Sequence, residues 1–190
     1  QWTASFLRAN PDHLVMVLNN GLLRFWPQTN PEKEQLFVKQ LASMLKHVKR
    51  ATVLCTDTFT DVFASVLLRV QQNLASSHFK IVDETIELLK DKLIRQCIEY
   101  HGGESGWKAI YVCLIRVAHT HYLYLTRNNS QQIMDWLKKY RITKKYVTIF
   151  EKLEQEYREK EEEEKTQPPP PQPPQQRAPQ QQQQQQQSLA

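Results

Sequence analysis

The sequence predicts an all-α fold, and three observations carry that prediction. No proline falls between residues 32 and 167, and glycine occurs there only at 102, 103 and 106. The clusters of turn residues that sheets require are therefore scarce. Apolar residues recur at i, i+3 or i+4, and i+7 through successive segments, the spacing of a helix with one buried stripe. Several segments open on capping residues and acids and close on lysine, arginine or glycine, as the helix dipole favours.

Taken in order, residues 2–27 read as a helical turn, a break at Asn10–Pro11 and a second helix. That helix weakens at Asn19-Asn20-Gly21 and stops before Pro27. Residues 1–10 read as the end of an element. Residues 29–50 enter through Asn30–Pro31, carry acids in the first turn and end in Lys46, Lys49 and Arg50. The expected core stripe is Leu36, Phe37, Leu41, Met44, Leu45 and Val48. Residues 55–77 place Phe59, Val62, Phe63, Val66, Leu67 and Val70 on a similar stripe. Residues 78–103 follow as one helix facing inward with Ile81, Ile86, Leu89, Leu93 and Cys97 or Ile98. Gly102 and Gly103 end it as a glycine C-cap.

Residues 105–129 are apolar on more than one face, the mark of a central helix. Part of this stretch, HYLYL, is ambiguous with a strand, and helix is the preferred reading. Residues 130–142 read as a separate short helix with Ser130 as N-cap and Ile133, Met134, Trp136 and Leu137 as contacts. Residues 143–165 carry Tyr146, Ile149, Phe150, Leu153 and Tyr157, after which nothing apolar remains to bury. Beyond Tyr157 the helix is expected to continue only as a solvated end or to fray.

The helices recur at intervals of roughly 23–27 residues, so helix pairs recur at about 45–50, near the period of HEAT or armadillo units. The periodicity is one of length, with no repeated residue pattern. The whole resembles a stretch of α-solenoid, or a small helical superhelix, of antiparallel amphipathic pairs. The expected organisation is a helical domain over 1–157, a charged solvated helix end over 158–166 and a disordered proline- and glutamine-rich linker over 167–190. That last stretch holds Pro168–Pro171 and eight consecutive glutamines, Gln180–Gln187. Proline there favours extended polyproline II, and neither residue type buries enough apolar area to offset ordering entropy. A plain spacer is the expectation, with docking of its proline ladder on a groove as the alternative.

A chain of 190 residues is long enough to bury a sizeable core without covalent staples. It begins with Gln1 rather than Met and is expected to be a piece of something longer. No apolar run approaches the ~20 residues of a bilayer span, and no signal peptide opens the chain. The three cysteines, Cys55, Cys97 and Cys113, show no C-x-x-C spacing and are expected to be buried free thiols in a reducing compartment. Net charge is +5, unevenly placed: residues 1–150 carry 20 basic against 12 acidic groups, residues 151–165 carry 4 against 8.

Catalytic and metal motifs occur only in fragments. HGGESGW, residues 101–107, has parts of an oxyanion loop and a nucleophile elbow, but the elbow needs G-x-S-x-G and position 107 is Trp. A helix connector, with Ser105 capping the next helix, is the better reading. His119 and His121 stand two apart and diverge on a helix, whereas zinc helices use i, i+4. Asp57 and Asp61 lie where a helix start favours acids, so capping explains them better than acid–base work. Phosphate-loop, dinucleotide and EF-hand motifs are missing, so no cofactor or metal is expected, nor an active site contained wholly within the chain.

Basic residues cluster at Lys46, Lys49 and Arg50, and again at Lys138, Lys139, Arg141, Lys144 and Lys145, interleaved with Tyr140 and Tyr146. The second set spans an inter-helix turn and is a candidate patch for an anionic partner. The leading expectation is a non-catalytic helical scaffold or protein–protein interaction module of a larger eukaryotic regulatory protein. It would sit inside the cell, in nucleus or cytoplasm, bind other proteins and not engage a membrane. One alternative is an accessory helical segment of a very large enzyme, for example of the ubiquitin pathway. The other is a nucleic-acid binder using the basic patch.

Overall fold

A computed structural model of the protein describes residues 6–7, 13–47, 56–141 and 143–166. Phe6 and Leu7 are helical, and Leu7 is fully buried. α1 opens at Leu14–Met16 and widens into a π-helical segment, Val17–Leu23. It is followed by α2 (Pro31–His47), α3 (Asp57–Leu74), α4 (Phe79–Lys90) and α5 (Lys92–Cys97). A π-helical turn, Ile98–Gly102, leads into α6 (Gly103–Thr120), then α7 (Tyr124–Lys139). A 3-10 turn, Lys144–Tyr146, precedes α8 (Val147–Thr166). Among the described residues there is no strand. The expected disordered linker over 167–190, the break at Asn10–Pro11, and Val48, Lys49, Arg50 and Cys55 lie outside the described residues.

Chain contacts group into Gln1–Tyr157 and Arg158–Ala190. Within the first unit the helices form two layers, as in HEAT-like repeats. α1, α3 and α6 lie side by side in one layer; α2, α4 and α7 form the other. Each helix of the first layer also packs on its successor in the second. One continuous core runs between the layers, through Leu18, Leu41, Phe59, Phe63, Ile86, Trp107, Leu114 and Leu137. α6 is central, with Trp107, Ile110, Tyr111 and Leu114 fully buried. Among the described residues of the second unit, 158–160 and 162–165 are exposed and Glu161 is half-buried, with Lys165 on Glu161 at 2.9 Å.

Local chemistry sets the helix ends. Asn30 Oδ1 accepts from Lys33 N at 3.0 Å and Pro31 occupies the first helical position, as the Asn–Pro entry predicts. Gly103 stands at φ +51°, the backbone conformation glycine alone adopts cheaply, and it closes the π turn. Asn19-Asn20-Gly21 does weaken its helix, but by widening the turn to a π-helix rather than ending it.

Several expectations are corrected. Residues 78–103 are not one helix: Asp91 breaks the chain at ψ 130° and accepts from Leu93 N and Ile94 N, so it caps α5. HYLYL is neither helix nor strand throughout. His121 and Leu123 are extended, and His121 Nδ1 accepts from Leu123 N at 3.2 Å, which ends α6 and starts α7. Ser130 is therefore no N-cap. It sits buried inside α7, and its Oγ donates to Leu114 O of α6 at 2.8 Å. Ser105 likewise lies inside α6, donating to Gly102 O. The cap of α3 is Thr56, whose Oγ1 accepts from Phe59 N, and not Asp57 or Asp61. In α2, Leu36 is 62% exposed and Val38 is the buried residue, because the stripe turns with the helix toward α4.

Candidate partner-binding corner

The basic cluster foretold from sequence surrounds the junction between α7, the 3-10 turn and α8. Its foundation is an aromatic pair that the sequence spacing placed but did not reveal. Trp136 and Tyr140, one helical turn apart, stack with centroids 4.5 Å apart. The Arg95 guanidinium of α5 lies 4.2 Å from the Trp136 ring centre and 4.4 Å from that of Tyr140. Arg95 is itself buried, and its Nη1 donates to Leu89 O at 3.3 Å and to Lys90 O. A cation held by carbonyls and by two ring faces fixes the end of α7 against α5. Trp136 is thus a surface platform, 37% exposed, rather than a core contact.

The five cations have different surroundings. Lys138 Nζ lies 2.8 Å from the Glu154 carboxylate. Lys145 Nζ lies 2.5 Å from Glu99, whose carboxylate also accepts from Trp107 Nε1 at 3.0 Å and Tyr146 Oη at 3.2 Å. Its hydrogen bonds to Glu99 and Tyr146 raise the Lys145 pKa above the ordinary lysine value. Lys139, Arg141 and Lys144 are exposed at the surface. Two of the five charges therefore tie helices together, and three face solvent. Glu99 was not singled out from the sequence; its partners Trp107 and Tyr146 are eight and 47 residues away.

The histidines and cysteines have local roles. His101 Nδ1 pairs with Thr60 Oγ1 at 2.8 Å, and its ring packs on Phe59 and Phe63. The His119 ring rests 5.0 Å from Tyr157, and His121 caps the α6–α7 break. Cys97 is buried and Cys113 half-buried; burial pushes the Cys113 thiol up. Among the described residues no three His, Cys, Asp or Glu side chains gather as a metal site requires. Among them, too, no helix is long and apolar enough to cross a membrane.

The sequence is similar to those of known phosphatase regulators. The chain is 25% identical over 109 residues to the kappa isoform of the 57 kDa B' regulatory subunit of serine/threonine protein phosphatase 2A from Arabidopsis thaliana, a stretch that is 57% of this chain and 20% of that protein. It is 30% identical over 66 residues to the kappa isoform from Oryza sativa subsp. japonica, 35% of this chain and 12% of that protein. The chain thus matches no more than about a fifth of the length of these relatives. The model of the protein phosphatase 2A regulatory B subunit family, B56, matches residues 2–170. With two layers of packed helices and a family match over most of its length, the chain belongs to the B56 family.

Proposed function

We propose that this chain is a helical interaction segment of a protein phosphatase 2A regulatory subunit, one that holds protein partners and leaves the chemistry to them. The observation that carries this reading is the family match over residues 2–170. Stacked helix pairs suit the role, because each pair adds exposed surface to a continuous core. The partners would be the other subunits of a phosphatase assembly, in a nuclear or cytoplasmic setting. Lys139, Arg141 and Lys144 would meet an acidic face of such a partner, with Lys138 and Lys145 serving mainly to hold α7, the 3-10 turn and α8 in register. That division of labour favours a protein surface over nucleic acid, which asks for a denser run of unpaired cations.

The test is a pull-down of the tagged 190-residue chain from eukaryotic lysate, with and without nuclease, read by mass spectrometry. Phosphatase 2A subunits recovered with nuclease present, and reduced by joint Lys139→Glu and Lys144→Glu substitution, are the expected result. Recovery of nucleic-acid-binding proteins that disappear with nuclease, with no phosphatase subunit retained, would overturn it.

A further inference from the structure

We propose that the hollow between the π-helical end of α1 and the side of α3 is a binding site for a small anion carrying two or more phosphate groups. The hollow has a volume of about 450 Å³, within the ~300–1,000 Å³ usual for small-molecule sites. Asn19, Asn20 and Arg24 supply the polar groups of one wall. Ser65, Arg69 and Gln72, at i, i+4 and i+7 along α3, supply those of the other. No carboxylate lines it. Two guanidiniums, one from each wall, therefore set the sign of the site.

Arg69 is held in place before any ligand arrives. Its guanidinium lies 5.1 Å from the centre of the Trp26 ring. That ring is buried, donates from Nε1 to Glu34 at 2.8 Å, and meets Phe37 edge-on at 5.7 Å. A guanidinium stacked on a fixed ring keeps its planar fork free for two oxygens of one phosphate. Burial pushes the Arg69 pKa down, and the charge of Glu34 only partly offsets this. A bound phosphate would supply the counter-charge. Neither Arg24 nor Arg69 forms an ion pair with a described residue. Arg24 is exposed, its guanidinium 5.6 Å from the Phe25 ring centre. The amides of Asn19, Asn20 and Gln72 and the Ser65 hydroxyl offer donors for the remaining oxygens.

Other occupants use less of this chemistry. A divalent cation prefers carboxylate oxygens and would sit between two positive charges. Single-stranded nucleic acid stacks its bases on aromatic rings, and no aromatic residue lines the hollow. An anion with one charged group would leave one of the two guanidiniums unpaired. Clustered phosphates on a small frame meet both walls at once. Polyol phosphates, nucleoside polyphosphates and phosphoinositide headgroups share that chemistry, and the experiment separates them.

The test titrates the 190-residue chain with inositol hexakisphosphate, with adenosine triphosphate, and with phosphatidylcholine vesicles with or without phosphatidylinositol bisphosphate. Calorimetry reads the soluble probes and co-sedimentation the vesicles. The expected result is one site per chain for at least one probe, and the tightest of them identifies the source of the phosphates. Arg24→Ala should weaken that binding about tenfold or more. Arg69→Lys, which keeps the charge and loses the fork, should weaken it about threefold or more. Lys139→Glu with Lys144→Glu should leave it unchanged. Bound probe should slow amide hydrogen exchange in residues 17–24 and 65–72. If Arg69→Lys melts early, Arg24→Ala on the exposed rim carries the test. Binding of none of the probes, full affinity in Arg24→Ala, equal loss in the Lys139/Lys144 variant, or protection confined to other segments would each overturn the proposal.

Discussion

The rings of Tyr111 and Phe150 lie face to face, centroids 4.0 Å apart and planes within 4° of parallel. Both side chains are fully buried, and Tyr111 Oη donates to Glu154 at 2.6 Å. Since Glu154 also holds Lys138, one carboxylate joins α6, α7 and the start of α8. Stacking of this kind contributes about 0.5–1.5 kcal/mol beyond the area it buries. A Tyr111→Leu, Phe150→Leu double-mutant cycle by urea unfolding should return a coupling energy of that size; a value near zero would show the stack to be incidental.

The Tyr111 phenol also sets a pH dependence. Burial, then the hydrogen bond to Glu154 and the charge of that carboxylate, push its pKa far above the ordinary 10.0. The unfolded chain releases this proton near pH 10 and the folded chain keeps it. The stabilisation is therefore intact below pH 10 and shrinks as pH rises beyond it, by about 1.4 kcal/mol per unit. Urea melts from pH 8 to 11 should show this loss in the natural chain. Tyr111→Phe, which keeps the ring without the ionisable group, should show a shallower one.

Glu99 accepts from a buried indole and from Tyr146, so removing it leaves a donor without water or partner. Glu99→Ala should cost about 1–3 kcal/mol. Glu99→Gln keeps an acceptor for Trp107 and should cost less. Equal losses in the two variants, measured by denaturant unfolding, would show that the carboxylate charge rather than the acceptor matters.

Gly103 and Gly21 offer a paired test of backbone conformation. A Cβ at either meets nothing within 4 Å, but only Gly103 has positive φ. Gly103→Ala should destabilise by about 1–3 kcal/mol through backbone strain alone. Gly21→Ala should be neutral or stabilise by up to about 1 kcal/mol. Thermal melts that rank the two in the reverse order would contradict the assigned conformations.

The register of α2 is open to a similarly direct check. Val38→Ser removes a buried side chain and should cost about 1.5–3 kcal/mol, while Leu36→Ser should change stability by about 0.5 kcal/mol or less. A larger loss at Leu36 would restore the register read from periodicity alone.

Much of the fold is legible in the residues themselves. The stripe Phe59, Val62, Phe63, Val66 and Val70 reads correctly because helical period is a property of the chain. So does the Asn30–Pro31 start, because a cap is made by neighbours three residues apart. Where local signals compete, the reading slips. Ser130 has every appearance of an N-cap, yet a serine inside a helix is equally served by a carbonyl on the next helix, here Leu114 O. Nothing near residue 130 announces that carbonyl.

The cation corner divides along the same line. Sequence alone determined that Lys138, Lys139, Arg141, Lys144 and Lys145 crowd one turn between two helices, since a short linker keeps them together wherever the domain packs. Only the tertiary structure decided that Glu154 and Glu99, 16 and 46 residues distant, would claim Lys138 and Lys145 and leave three cations outward. Helix period and capping act over three or four residues, so they are written locally. Ion pairing falls off within a few ångströms in water and depends on which helix faces come together, which the packing of the whole core sets.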